Sequence, residues 1–157
     1  MLQAARTVKN EELACELTKL CGYMLDRVLP YKTLENPFVL KGNPRFCTQY
    51  NNSQTNENIG PMVSGTASWL TLTVFEMFGL NVTTQGIELN PMMLSDMNQA
   101  DLTLKIRGCE YNIKIKKNKK GFCRMSDSTN IVLDGKEHKG AIPLDSDKKI
   151  RKIEIYI

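Results

Sequence analysis

At 157 residues, 41% hydrophobic and 24% charged, the chain carries enough apolar sequence for one domain or two small ones, and too much to be disordered. The formal net charge of +4 is mild, and no stretch has the apolar length that a membrane span needs. Five cysteines without CxxC spacing and a single histidine argue against a zinc site and for reduced thiols; with an N-terminus, MLQAARTVKN, that has no leader-like apolar core, the expectation is a cytoplasmic protein.

The first element is helical. Leu13, Leu17, Leu20, Cys21, Met24, Leu25 and Val28 recur at three- and four-residue spacing, Asn10 is placed to cap the N-terminus, Glu11 and Glu12 fall in the first turn, and Pro30 stops the run. A long polar connection from Tyr31 to Met62 follows, with Pro37, Pro44, Pro61 and the run NNSQTNENIG, and connections of that length tend to be functional. Gly60 to Trp69, GPMVSGTASW, then turns into an apolar helix expected over Ser64 to Phe78, with Gly79 as its stop. A Gly-rich turn of hydroxyl residues at a helix start can hold an anion such as phosphate, and the same residues are also ordinary helix-start residues.

After Leu80 the pattern changes to short strands: Gly86 to Leu89, Leu102 to Ile106, Tyr111 to Lys116, Phe122 to Met125, Asn130 to Leu133 and Ile150 to Ile157. Arg107-Gly108 marks a turn, and Asp134-Gly135 is a strong hairpin signal. Helices followed by a block of strands predict an α+β chain with a small antiparallel β unit at its C-terminal end. The basic runs Lys114 to Lys120 and Lys148 to Lys152 alternate with apolar residues and lack interleaved aromatics, so they are expected on solvated strand faces and not on a nucleic-acid surface.

SGTASW resembles the TGSAGW or TGTAAW segment of the inverting disaccharide phosphorylases of glycoside hydrolase family 94, which includes the cellobiose, chitobiose and 1,2-β-oligoglucan phosphorylases. ENPFVLKGNPRFCTQYNN upstream, GIELNPMMLSDMNQADLTLKIRGCEYNIKIKKN downstream and NIVLDGKEHKGAIPL near the end resemble further segments of that family, in the same order. The resemblance implies that residues 1–80 are the last helices of an (α/α)6 catalytic barrel and that residues 81–157 form a C-terminal antiparallel β-sandwich-like domain.

In such enzymes inorganic phosphate, the co-substrate, attacks the anomeric carbon of a β-glucoside with inversion, while a carboxylic acid protonates the leaving oxygen. The resemblance carries phosphate contacts onto Ser64 and Gly65, and sugar contacts onto Gln49 and Tyr50. Gln49 stands where the family has an acidic residue, which turns the expectation from cellobiose toward a 1,2-β-oligoglucan or related β-glucan. Thr66 and Trp69 match the pattern, but capping and helix packing also account for them, and for Trp69, on an apolar helix, packing is the favoured reading. The family's general acid and most phosphate ligands lie upstream of anything in this sequence, so no catalytic residue is assigned, no cofactor or metal is implied, and the isolated chain is expected to be inactive. His138, beside the Asp134-Gly135 hairpin, is taken as an exposed turn residue.

The partners so implied are a β-glucan or disaccharide, phosphate, the missing N-terminal part of the enzyme and, at full length, a second copy as a homodimer. The other class of function that fits is a noncatalytic carbohydrate-binding or protein-interaction module.

Overall fold

The structure, a computed structural model, describes residues 1–29, 48–55, 57–61, 64–94, 96–118, 120–126, 129–144 and 149–157; for 28, 48–51, 58–61, 64–67 and 69 the description is of the backbone. The chain divides into two compact units, Met1–Val74 and Phe75–Ile157.

In the first unit a short helix α1 (Leu2–Thr7) precedes α2 (Glu11–Val28). Asn10 caps α2 as its position predicts, its side-chain oxygen accepting from the Leu13 N–H at 3.0 Å, with Glu11 and Glu12 against the positive end of the helix dipole. The apolar stripe of α2 divides in two. Ala14, Thr18 and Cys21 are buried, the Thr18 hydroxyl bonding back to the Ala14 carbonyl at 2.9 Å, whereas Leu13, Leu20 and Met24 remain 43–51% exposed. Small residues thus take the buried positions, Leu17 and Leu25 are half-buried, and Leu13, Leu20 and Met24 are exposed.

The connection after α2 is not all loop. It contains a hairpin, β1 (Thr48–Asn51) with β2 (Asn58–Pro61), in antiparallel register with Tyr50 opposite Ile59. Asn52 folds its turn: the side-chain oxygen accepts from the N–H groups of Gln54 and Thr55, and its own N–H donates to the Glu57 carbonyl at 2.9 Å. Polar residues that suggested a loop therefore supply the hairpin turn. Pro30 and residues 31–47 lie outside the described residues.

Helix α3 (Ser64–Phe78) begins and ends where the sequence predicts. Gly79, with φ +55°, closes it: the Leu80 N–H donates to the Phe75 carbonyl at 2.9 Å and the Gly79 N–H to Glu76 at 3.1 Å, the paired bonds of a left-handed helix stop.

The second unit is built on a five-stranded sheet. Its strands are β6 (Gln99–Ile106), β7 (Cys109–Lys116), β9 (Ile131–Leu133), β10 (Lys136–His138) and β11 (Ile150–Tyr156), ordered β10-β9-β11-β7-β6. The short strands β3 (Asn81–Val82) with β4 (Ile87–Glu88), and β5 (Met92–Met93) with β8 (Cys123–Arg124), make two further pairs. The expectation of a wholly antiparallel unit is corrected here: β11 runs parallel to β7, Ile153 opposite Ile113 and Ile155 opposite Ile115. The long chain between the two strands, which carries β8 and the β9–β10 hairpin, provides the crossover that parallel pairing requires.

Alternation fixes the faces of the sheet. Tyr111, Ile113, Ile115, Ile153 and Ile155 are at most 1% exposed and make the inner face. The Tyr111 hydroxyl donates to the Pro143 carbonyl at 3.1 Å, placing the segment of buried Ile142 over that face. Two hairpins turn on a left-handed residue followed by glycine: Arg107 (φ 49°) with Gly108 (φ 81°), and Asp134 (φ 51°) with Gly135 (φ 82°).

Candidate functional site

The residues singled out as binding groups lie in the first unit. Gln49 and Tyr50 occupy the middle of β1, where Thr48 faces Pro61 across the hairpin. Directly opposed residues of an antiparallel pair have Cα atoms about 5 Å apart. From Pro61 the chain needs only three residues to reach Ser64, a span of at most about 11 Å. It is therefore β2, the strand paired with the one that carries Gln49 and Tyr50, that a short connection joins to the helix start with Ser64 and Gly65. The side chains of these four residues, and those of Thr66 and Trp69, lie outside the described set.

Ser64 and Gly65 are the first two residues of α3, whose first turn holds no acidic side chain. The first N–H groups of an α-helix have no acceptor within the helix, and the helix dipole adds about half a positive charge there. Such an end can receive an anion.

The second unit carries a different arrangement on the outer face of its sheet. Thr103 donates to the Asn112 side-chain oxygen at 2.9 Å, Asn112 donates to Glu110 at 3.1 Å, and Gln99 donates to Asp101 at 2.6 Å. Lys114 pairs with Asp101 and Lys105 with Glu110, both at 3.6 Å, and Glu154 stands opposite Lys114 on β11. An open groove of about 870 Å³ runs along this face, bordered by Asp101, Asn112, Lys114, Lys152 and Glu154. Period-two alternation in QADLTLKI and IRKIEIYI is the sequence signal for this polar ladder.

Lys117 donates to the Leu94 carbonyl at 2.6 Å, and Lys116 stands 5.8 Å from the centre of the Tyr156 ring. Arg151 departs from the solvated-face pattern: it is buried on the inner face and its guanidinium meets the Asp134 carboxylate at 2.7 Å. Lys119 and Lys148 lie outside the described residues. His138 is not in a turn but in β10, half-buried, with Nε2 3.0 Å from the Ala141 carbonyl oxygen.

Four cysteines, Cys15, Cys21, Cys109 and Cys123, are free thiols, and Cys47 lies outside the described residues. Burial pushes the Cys21 thiol above its ordinary range, partly offset by the N-terminal amine. Among the described residues no group of three or more His, Cys, Asp or Glu is placed to hold a metal ion, and no helix is long and apolar enough to cross a membrane. The chain matches no model of a known protein family and no curated protein.

Proposed function

We propose that this chain is the C-terminal part of an inverting β-glucoside phosphorylase, a hexosyl-transferring enzyme that uses phosphate to convert a β-linked gluco-disaccharide or oligosaccharide to an α-sugar 1-phosphate. The observation that carries this reading is the hexapeptide SGTASW at the very start of α3, where phosphate-binding chemistry requires a helix N-terminus. In this account Ser64 and Gly65 bind phosphate, Gln49 and Tyr50 bind the sugar, and the general acid comes from a segment N-terminal to these residues. The exposed seam of Leu13, Leu20 and Met24 on α2 also favours the reading, because a helix taken from a larger barrel leaves such a seam uncovered. The working compartment in this account is the cytoplasm.

Phosphate acts as nucleophile in place of water, so the site must concentrate a dianion opposite an acid. The helix end supplies N–H donors and partial positive charge, and an upstream acid protonates the leaving oxygen. The test is to read the coding DNA upstream of Met1 in all frames. Further barrel helices with an aspartate acid are expected; a clean start with no such coding sequence overturns the assignment.

One observation favours a second reading, a noncatalytic carbohydrate-binding module. The open outer sheet face offers a row of hydrogen-bonding side chains along a groove, a surface suited to a polar chain such as a glycan. A module of this kind binds β-glucan without phosphate and loses binding when Asn112 is replaced by Ala.

A further inference from the structure

The outermost strand of the five-stranded sheet is β6, and among the described residues no strand pairs with its outer edge. The ladder shows which backbone groups face outward. Lys117 N–H donates to the Asn98 carbonyl at 3.1 Å, so bonded pairs recur at every second residue, Ala100 with Ile115, Leu102 with Ile113, Leu104 with Tyr111 and Ile106 with Cys109. The intervening residues, Gln99, Asp101, Thr103 and Lys105, turn their N–H and C=O groups to the open edge.

That edge is long and regular. Leu102 and Leu104 on its inner face are only half-buried, while their partners Ile113 and Tyr111 on β7 are at most 1% exposed. A strand of eight residues with such side chains, whose outer edge no described strand covers, is a template for another strand.

We infer that β6 pairs antiparallel with β6 of a second copy of this chain across a twofold axis at Thr103, joining the two sheets into one. The charges select this register. With Thr103 opposite its own copy, Asp101 stands opposite Lys105 of the second chain, and Lys105 opposite Asp101, so two ion pairs form at once. Leu102 then faces Leu104 on the inner side, twice, which covers the half-buried residues. Moving the axis to residue 101 or residue 105 sets Asp101 or Lys105 against itself, and like charges directly opposed are destabilising. Both side chains can take a partner across the axis: Lys105 is 79% and Asp101 54% exposed beside their pairings with Glu110 and Lys114. The same charges that guard this edge against unrelated strands thus complement a second copy, and a closed isologous pair leaves neither β6 edge open.

The test is sedimentation equilibrium of the 157-residue chain over a range of concentrations, with circular dichroism to check the fold of each variant. A monomer–dimer equilibrium is expected. Asp101→Lys or Lys105→Asp alone should weaken it by roughly tenfold or more, and the double exchange should restore it. Thr103→Pro provides the independent check: the N–H it removes points away from β7, so the monomer sheet stands while pairing is lost. A chain that stays monomeric throughout overturns the proposal. So does a dimer that Asp101→Lys and Thr103→Pro leave unchanged, since that dimer uses another surface such as the apolar seam of α2.

Discussion

The Asp134 carboxylate joins the tip of one hairpin to the buried end of the central sheet: one oxygen lies 2.7 Å from the Arg151 guanidinium, and the other accepts the Lys152 backbone N–H at 2.9 Å. The Asp134 N–H returns a bond to the Lys152 carbonyl at 2.8 Å. Aspartate was legible here as a turn residue, but it also neutralises an arginine whose side chain is only 9% exposed. Asp134→Asn keeps a residue that tolerates φ 51° and removes the charge. The expected loss of stability is about 3 kcal/mol, the low end for removing one partner of a buried ion pair, because the Asp134 side chain is 27% exposed. Urea denaturation measures it, and a loss under about 1 kcal/mol would mean that the pair is no more than a surface contact.

Gly79 cannot take a side chain. Its φ of +55° alone makes Gly79→Ala cost about 1–2 kcal/mol, and the added Cβ would collide with the Asn90 carbonyl, whose residue donates its N–H to Gly79 O at 3.1 Å. Thermal unfolding should show a clear fall in Tm. A neutral substitution would show that the helix end and the Asn90 segment between β4 and β5 do not hold this geometry.

Stability should fall in alkali for a reason that can be located. Burial, with a hydrogen bond to Cys109 adding to it, pushes the Tyr111 phenol above its ordinary 10.0, and burial pushes Cys21 above 9.0. The unfolded chain releases these protons first, so their contribution is intact below the ordinary values and declines as pH rises through the folded ones. Tyr111→Phe should flatten the decline above pH 10 while costing about 1 kcal/mol at neutral pH through the lost bond to Pro143. An unchanged alkaline slope in that variant would place the titrating group elsewhere.

In the complete enzyme that the proposed phosphorylase reading calls for, Ser64→Ala should raise the KM for phosphate about tenfold or more, as expected on losing a donor worth about 1.5–3 kcal/mol to a charged partner. Replacing Gln49 or Tyr50 should change the KM for sugar and leave that for phosphate unaltered. Steady-state kinetics with each substrate varied in turn separates the two. If Ser64→Ala left the phosphate dependence untouched, the helix start would not be the phosphate site.

Long periodic elements were legible because local chemistry and burial agree in them. Helices α2 and α3, with the Asn10 cap and the Gly79 stop, follow their signals, and β7 and β11 alternate as expected. What could not be read depends on pairing. The β1–β2 hairpin is built from polar residues, TQYN and NIGP, whose local preference is for loop. The place of β11 between β9 and β7, and its parallel direction to β7, are long-range pairings that the periodicity of a single strand does not encode. On α2 the spacing marked one stripe, of which Cys21 is buried, but not that Ala14 and Thr18 would be buried beside it while Leu13, Leu20 and Met24 stay exposed. Of the candidate site, the helix start was legible from Gly, Ser and Thr. The pairing that sets β1 beside β2, the strand next to that helix start in the chain, was not, because it exists only once the hairpin has formed.

The most direct measurement is phosphorus NMR of a β-linked gluco-oligosaccharide with inorganic phosphate, in the presence of this chain joined to the barrel segment that the proposal places N-terminal to it. The account predicts an α-glucose 1-phosphate signal that is absent with the chain alone and diminished at low phosphate by Ser64→Ala. No phosphate ester from the joined enzyme, together with glucan binding by the chain alone, would contradict it and leave the binding module as the function.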